Sequence, residues 1–544
     1  MFGAGKGKNY LKILLVISGL SVFMFQSQVS HGQKNTMRIS MNLDTPTYWS
    51  DDVIFTDLAR TGSALVPYHI FSNDWDDYSV KNDDIPVTES GLPPNLPFTH
   101  NDKSYAVRIL FQNRKGEYVF SYDGKGELKF NNAKVISKKP NKIRFRLKGE
   151  GNFWVNFMES DKNDPIRNLK ILPIDPDTDE VDNSTFTEEY LTGLRPFDAL
   201  RFYRWQDCDR GRERRWEDRK TANSYAQGSY ASVELAVQLA NELSKDAWLC
   251  VPYAADDDYI RNMAEFVRNT LHKDLKVYIE YSNELWNWIF PAAHYVLNNG
   301  QDSERPWLNA APEITGDLKQ IGDKFCGGEG CHPEKDAYMM ARVFRIWEDV
   351  FRDERGRLVT VAAGQQGWPD NSDRILQYLT EETEVTVDAF TTGGYFWFGK
   401  EDHERWLEAG NVTVDQILDV AEKDIQTFGR RLAKKNAEIL AKYKVDFLVY
   451  EGGQHLQPHN QEDWPYNEVV WDSQIHPRMY DLYIQNLNLY QEMGVKNFFA
   501  YRYLGERKSK FGSWGHLETL NDLKGDVMKN APKYKALVDF AEGR

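Results

Sequence analysis

The chain predicts an α/β fold, a (β/α)8 TIM barrel with a β-sandwich inserted between barrel strands one and two. Two observations predict it. From Ala199 onward, short apolar runs alternate with stretches whose apolar residues recur at three and four spacing, the pattern of strand–helix units around a parallel sheet. Before that, across 63–187, apolar and polar residues alternate singly, turns such as Tyr122-Asp-Gly124 intervene, and no helical period appears.

The repeating part supplies seven strands, at 199–205, 247–253, 276–281, 358–363, 389–396, 445–450 and 496–501. Closure needs an eighth, which the apolar segment 37–43 offers as strand one, followed by a helix-like piece at 55–60. Helical patterns lie between strands at 232–243, 258–271, 335–350 and 479–493. The inserted sandwich is read from strands at 105–112, 117–122, 142–148 and 152–157, and the acidic, Pro-containing stretch 175–185 leads back to the barrel. The expected order is a signal peptide (1–32), the first barrel strand and helix (33–62), the sandwich (63–187) and the rest of the barrel (188–544).

Lys6, Lys8 and Lys12 precede an apolar run of about 13 residues, and small polar residues follow it, the arrangement of a secretory signal peptide. The run is short of the roughly 20 residues a spanning helix needs, so a secreted or periplasmic protein with no membrane attachment after cleavage is expected. Subtracting 67 Lys and Arg from 82 Asp and Glu leaves a net charge of -15, which argues against nucleic acid as a partner. A mean hydropathy of -0.63 argues against a multi-span membrane protein. Aromatic residues make up 13%, with 16 Trp and 28 Tyr, enough to provide flat platforms for sugar rings. Nothing in the composition bears on oligomeric state.

Of four Cys, Cys326 and Cys331 flank a Gly-rich stretch and read as a loop staple; with His332 alone beside them they lack the four ligands of a structural zinc. Cys208 and Cys250, near strand ends, read as buried.

Functional groups in this fold project from the C-terminal ends of the strands. Two such ends carry a Glu: Glu284, in Val277-Tyr-Ile-Glu-Tyr-Ser-Asn283-Glu284-Leu-Trp286 after strand four, and Glu451, in Tyr450-Glu451-Gly452-Gly453 after strand seven. Glycoside hydrolysis needs one carboxyl to protonate the leaving oxygen and another to meet the anomeric carbon or activate water. Each Glu could instead be a strand-end cap or a surface carboxylate paired with Lys.

With an Asn-Glu pair ending strand four and a Glu ending strand seven, the chain resembles clan A of the retaining (β/α)8 glycoside hydrolases. Leu200-Arg-Phe202, the stretch 248–259 and Val277 to Asn287 also resemble a group of secreted proteins loosely labelled cellulose-binding. The resemblance implies Glu284 as acid/base and Glu451 as nucleophile, about 5 to 5.5 Å apart. It also implies Asn283 contacting the sugar 2-hydroxyl, Arg201 and Tyr395 hydrogen-bonding the nucleophile, and Trp514 as an aromatic platform. For Arg201 a barrel-wall ion pair with Glu280 is an equal reading. Tyr253 and Asp256 could touch substrate, although Asp256, Asp257 and Asp258 read first as a helix cap. His455 and His459, with Asp207 and Asp209, are expected on the same face, the histidines binding rather than transferring protons. Trp286, Trp288 and Trp397 read equally as sugar platforms or core.

The sequence holds no phosphate-loop, zinc-helix or nucleophile-elbow motif, so hydrolysis without cofactor or metal is the expected chemistry. The expectation is a retaining hydrolase of β-linked polysaccharide or oligosaccharide; the alternative is a non-catalytic carbohydrate-binding or adhesion protein.

Overall fold

Eight parallel strands close on themselves in the computed structural model, each paired to its neighbour in the order of the chain. The structure describes residues 37–49, 53–70, 80–81, 84–211, 213–228, 230–326 and 332–544. The expected signal peptide and Cys331 lie outside the described residues. The first barrel strand is β1 (Arg38–Asn42). Nine antiparallel strands follow: β2 (Val66–His69), β3 (Phe98–His100), β4 (Lys103–Phe111), β5 (Gly116–Asp123), β6 (Gly126–Asn131), β7 (Lys134–Lys139), β8 (Lys142–Leu147), β9 (Phe153–Ser160) and β10 (Arg167–Pro173). The barrel then continues through β11 (Ala199–Arg201), β12 (Asp246–Val251), β13 (Val277–Tyr281), β14 (Leu358–Ala363), β15 (Ala389–Trp397), β16 (Asp446–His455) and β17 (Asn497–Ala500), which pairs back onto β1.

The antiparallel strands form two sheets, β10-β5-β8-β7 and β2-β4-β9-β6, with β3 beside β4. Their alternating residues fill one shared core that includes Phe120, Phe145 and Phe153. The chain reaches and leaves them through a narrow two-stranded neck: Phe55 bridges Phe186, and Thr56 and Thr187 donate backbone bonds to Thr185 and Ile54. Asp57, which caps the short helix Leu58–Thr61, also accepts from the backbone N–H of Ile171 at 2.7 Å and so ties β10 to that neck.

Helices cover the barrel because their apolar stripes need a partner surface. Val233–Leu243 starts at Ser232, whose hydroxyl accepts from Leu235 N–H, and ends at Ser244 in the left-handed conformation. Asp257–Thr270 is capped by Asp256, which accepts from Tyr259 N–H, so the acidic triplet opens a helix. The barrel interior forms a separate cluster, in which Trp248 stacks on Tyr278 with 5.7 Å between ring centroids and meets the edge of Phe499 at 4.8 Å.

Several strand boundaries differ from expectation, and two of them shape the barrel mouth. The run 199–205 stops as a strand at Arg201, and Tyr203–Gln206 winds into a helical turn that seats Trp205 edge-on to Phe55 and Phe202. A short apolar run carries no period that separates strand from helix. The seventh barrel strand, expected to end at residue 450, runs on through Gly452-Gly453 to His455, because the glycines let β16 pass tightly against β17. A Cβ on Gly452 would stand 2.2 Å from the Phe498 ring. Replacing Gly452 by Ala is therefore expected to cost about 1–3 kcal/mol of stability, measured as a lowered midpoint in denaturant; an unchanged midpoint would contradict this account of the close approach.

Candidate active site

The floor of the site is one buried cation. Arg201, at the end of β11, is wholly inaccessible to solvent. Its Nη2 donates to Glu280 Oε2 at 2.7 Å and Asn283 Oδ1 at 2.8 Å, and its Nη1 to Glu451 Oε1 at 3.0 Å and Asn42 Oδ1 at 3.1 Å. The rings of Tyr203, Trp248 and Tyr450 lie 4.7, 5.2 and 5.0 Å from the guanidinium carbon. A charge this deep is tolerable only when paired and fully hydrogen-bonded. Arg201 thus makes both contacts weighed for it, bridging the barrel-wall Glu280 to Glu451. Trp248 Nε1 and the Cys250 thiol donate to the same Glu280 oxygen, which fixes the carboxylate beneath the guanidinium.

Glu451 accepts a second bond, 2.9 Å from the Tyr395 hydroxyl. Glu284 has different partners: the Tyr450 hydroxyl donates to Oε1 at 2.6 Å and the Asn287 amide to Oε2 at 2.8 Å. Both carboxyls open on one cleft of about 1360 Å³ at the C-terminal face of the barrel. The backbone that presents Glu284 is strained, with φ of +56° at Ser282 and +44° at Glu284. Such conformations cost about 1–3 kcal/mol each in a residue with a side chain and persist where the surroundings over-determine them.

Burial pushes both carboxyls toward retaining a proton. The charge of Glu284 raises Glu451 further, and nearby Asp209 raises Glu284. Two carboxylates so coupled hold one proton between them across neutral pH. The donors decide where it sits. Glu451 receives a hydrogen bond from a cation, whereas Glu284 receives only neutral ones, a difference that favours charge on Glu451 and the proton on Glu284.

The other expected site residues fall into two groups. Tyr395, His455 and Trp514 line the cleft with the two Glu. Trp514 packs against Tyr501 and His455 at 5.7 and 5.8 Å, and its indole lies so close over Gly512 (φ +124°) that a Cβ there would stand 2.6 Å away. Burial lowers the His455 imidazole to about 4, which leaves it uncharged at neutral pH. Asn283 is buried just below the cleft on Arg201. Tyr253 is not in the cleft wall: its ring is buried edge-on to Tyr295 at 5.0 Å, and its carbonyl accepts from Tyr281. The strand expected to end at Tyr253 ends at Val251, and this two-residue difference turns the ring into the helix layer. Asp256 spends its carboxylate on the helix cap. Trp286, Trp397 and His459 line the cleft, whereas Trp288 packs on His294 and His332.

Sequence reasoning missed Tyr450, Asn42 and Asn287. Period-two alternation sends Tyr450 and Glu451 to opposite faces, but a bulge between β15 and β16, where Thr392 pairs Val449 and Gly393 pairs Glu451, leaves Tyr450 extra and turns both inward. The doubled register is invisible in composition; Asn287 follows Glu284 by three residues and was in view as part of the motif. Among the described residues no cluster of His, Cys, Asp or Glu is arranged to hold a metal ion. Cys326 is disulfide-bonded, and Cys208 and Cys250 are free and buried.

No family model and no curated protein matches this chain. Solved structures with partial likeness include a GH51 arabinofuranosidase from Xanthomonas axonopodis pv. citri, 14% identical with a TM-score of 0.38 over 67% of either chain. Another is GH10 from Paenibacillus barcinonensis, 13% identical with a TM-score of 0.31 over 64% of this chain and 89% of that one. A GH5-4 broad specificity endoglucanase from Clostridium acetobutylicum is 10% identical, with a TM-score of 0.35 over 65% of this chain and 90% of that one. Likeness at this level adds nothing to the barrel that the strand pairing already defines.

Removing the cation tests the electrostatic assignment. Arg201→Met leaves Glu280 and Glu451 buried without a counter-charge, an expected loss of about 3–5 kcal/mol at neutral pH. In the variant, folding raises the proton affinity of these carboxyls above the unfolded value, so folding is favoured while they are protonated and disfavoured as pH rises through the raised pKa. The deficit against wild type is therefore expected to be smallest near pH 4 and to grow toward pH 7 in denaturant titrations; a deficit independent of pH would refute the buried ion bridge.

Proposed function

We propose that this chain is a secreted or periplasmic retaining glycoside hydrolase that cleaves β-linked polysaccharide or oligosaccharide by double displacement. The observation that carries the reading is the asymmetry of the two carboxyls on one cleft: Glu451 hydrogen-bonded by the Arg201 cation and Tyr395, Glu284 by neutral donors alone. Different environments for two acids are what divides their roles in glycoside cleavage.

In the first step the Glu451 carboxylate bonds to the anomeric carbon while Glu284 passes its proton to the departing glycosidic oxygen, leaving a glycosyl ester on Glu451. Glu284 is then a carboxylate. It takes a proton from water as that water attacks the anomeric carbon, and the sugar leaves with its original anomeric configuration, restoring both acids. Loss of negative charge on Glu451 weakens its bond to Arg201, but the guanidinium stays in place because Glu280 and Asn283 hold its other nitrogen. The Tyr450 hydroxyl keeps Glu284 oriented through both protonation states, and Trp514 offers a flat apolar face at the cleft wall for the sugar ring. A non-catalytic binding protein has no comparable use for a proton-holding carboxyl set on a strained backbone.

The test is hydrolysis of a panel of soluble β-linked polysaccharides and aryl β-glycosides. Glu284→Gln is expected to lower kcat about 10²–10⁴-fold, and Glu451→Gln to abolish turnover. Proton NMR of the first product should show retention of anomeric configuration. Inversion, or full activity in either variant, would remove the assignment.

A further inference from the structure

The cleft extends well beyond the two carboxyls. Its volume of about 1360 Å³ exceeds the roughly 300–1,000 Å³ of ordinary small-molecule sites, so it has room for several sugar rings in a row. Loops after β11, β13, β14, β15, β16 and β17 wall it. Those after β13 and β17 belong to the fourth and eighth strands of an eight-strand ring, and therefore face each other across the mouth.

Rings after the sixth and eighth strands reach solvent at that mouth. After the eighth strand, Phe511 is 58% exposed at the cleft edge, on a loop that is firmly held: Ser509 Oγ accepts from Phe511 N–H at 3.2 Å, Trp471 Nε1 donates to Ser509 O at 3.2 Å, and Ser513 Oγ bonds Arg507 O. After the sixth strand, Phe428 is 37% exposed and meets Trp397 edge to face at 5.4 Å, with the Arg431 guanidinium 4.8 Å from its ring. A π-helical turn, Ile425–Gly429, presents Phe428, and Asp424 anchors it by accepting from Trp397 N–H at 3.2 Å. Across the mouth from Phe511, Ile289 is 73% exposed on the fourth-strand loop. Large apolar side chains held in fixed positions at a wet rim mark a binding surface, and flat rings suit the apolar faces of sugars.

Resting on the hydrolase reading, we infer that the cleft takes a polymeric glycan passing through it, with Phe428–Trp397 and Phe511 as outer subsites, so that cleavage falls within the chain rather than at its end. The outer rings contribute affinity that grows with chain length. Each ring adds affinity only when the bound chain is long enough to reach it.

The experiment pairs two measurements on the full chain, for wild type, Phe428→Ala and Phe511→Ala. Circular dichroism checks folding, which these exposed positions should not disturb. Viscometry with reducing-end assay on soluble xylan, mixed-linkage β-glucan and glucomannan reads the mode of cutting. Affinity electrophoresis in gels containing the same polymers, run also on Glu451→Gln, reads binding without turnover. Wild type is expected to lower viscosity well before reducing ends accumulate and to release oligosaccharides of mixed length. Each Phe variant should lose about 10-fold in polymer kcat/KM, in the range of one ring's stacking contribution, and should migrate with less retardation. Release of mono- or disaccharide alone from the earliest times would overturn internal cutting, and so would equal retardation of wild type and both Phe variants. No hydrolysis of any polymer or aryl glycoside, with retardation that still depends on Phe428 and Phe511, would instead overturn the hydrolase reading and the cutting mode while upholding the two outer subsites.

Discussion

The site depends on a guanidinium with no access to water. Arg201 lies under three rings and donates to two carboxylates and two amides drawn from four strands or strand ends, β1, β13 and its loop, and β16. Taking such a cation out of water costs several kcal/mol unless its partners are close and well aimed. The barrel meets that demand by placing Glu280 one inward position before the strand end and Asn283 just beyond it. The same requirement ties the environment of Glu451 to the whole barrel: Arg201, buried beneath it, favours its charged form against the burial that favours its proton. Glu284, outside the reach of that cation's hydrogen bonds, is left to settle its proton between neutral donors.

Much of this organisation was legible in the residues. Seven apolar runs with intervening helical periods, and one more before the insertion, mark the strands that close the barrel, because parallel strands buried on both faces show as continuous apolar segments. Glu284 and Glu451 stood out because functional groups in this fold project from the C-terminal ends of the strands, and two of those ends carry a Glu. Tyr395 and Trp514 followed from the resemblance to clan A, and His455 from its place after the apolar run 445–450.

What escaped notice depended on single-residue register. Tyr450 was hidden by the bulge opposite Thr392 and Gly393, since a one-residue slip reverses which side chains face inward. Tyr253 was expected at the mouth, but its strand ends two residues earlier and its ring enters the helix layer. The seventh strand was expected to end at residue 450, yet it continues through Gly452-Gly453, where the close approach of Phe498, far away in the chain, leaves room only for glycine. Asn42 belongs to a strand so distant in sequence that only closure of the ring brings it to Arg201. None of these relations has a local signal.

The neck at Phe55 and Phe186 has a separate bearing on how such a chain arises and diversifies. Because the added sheets depart and return at touching positions, the strand order of the ring is the same with or without them, and their loss or exchange leaves the closing register between β1 and β11 unaltered. Away from the residues that join them, the ring and its appendage can accordingly accumulate substitutions at different tempos; the shared residues include the neck, the carboxylate of Asp57, and Tyr225, whose ring enters the sandwich core and whose hydroxyl donates to Ser63 O at 3.1 Å. A lineage could swap the appendage wholesale while the buried guanidinium and its ligands remain under constraint.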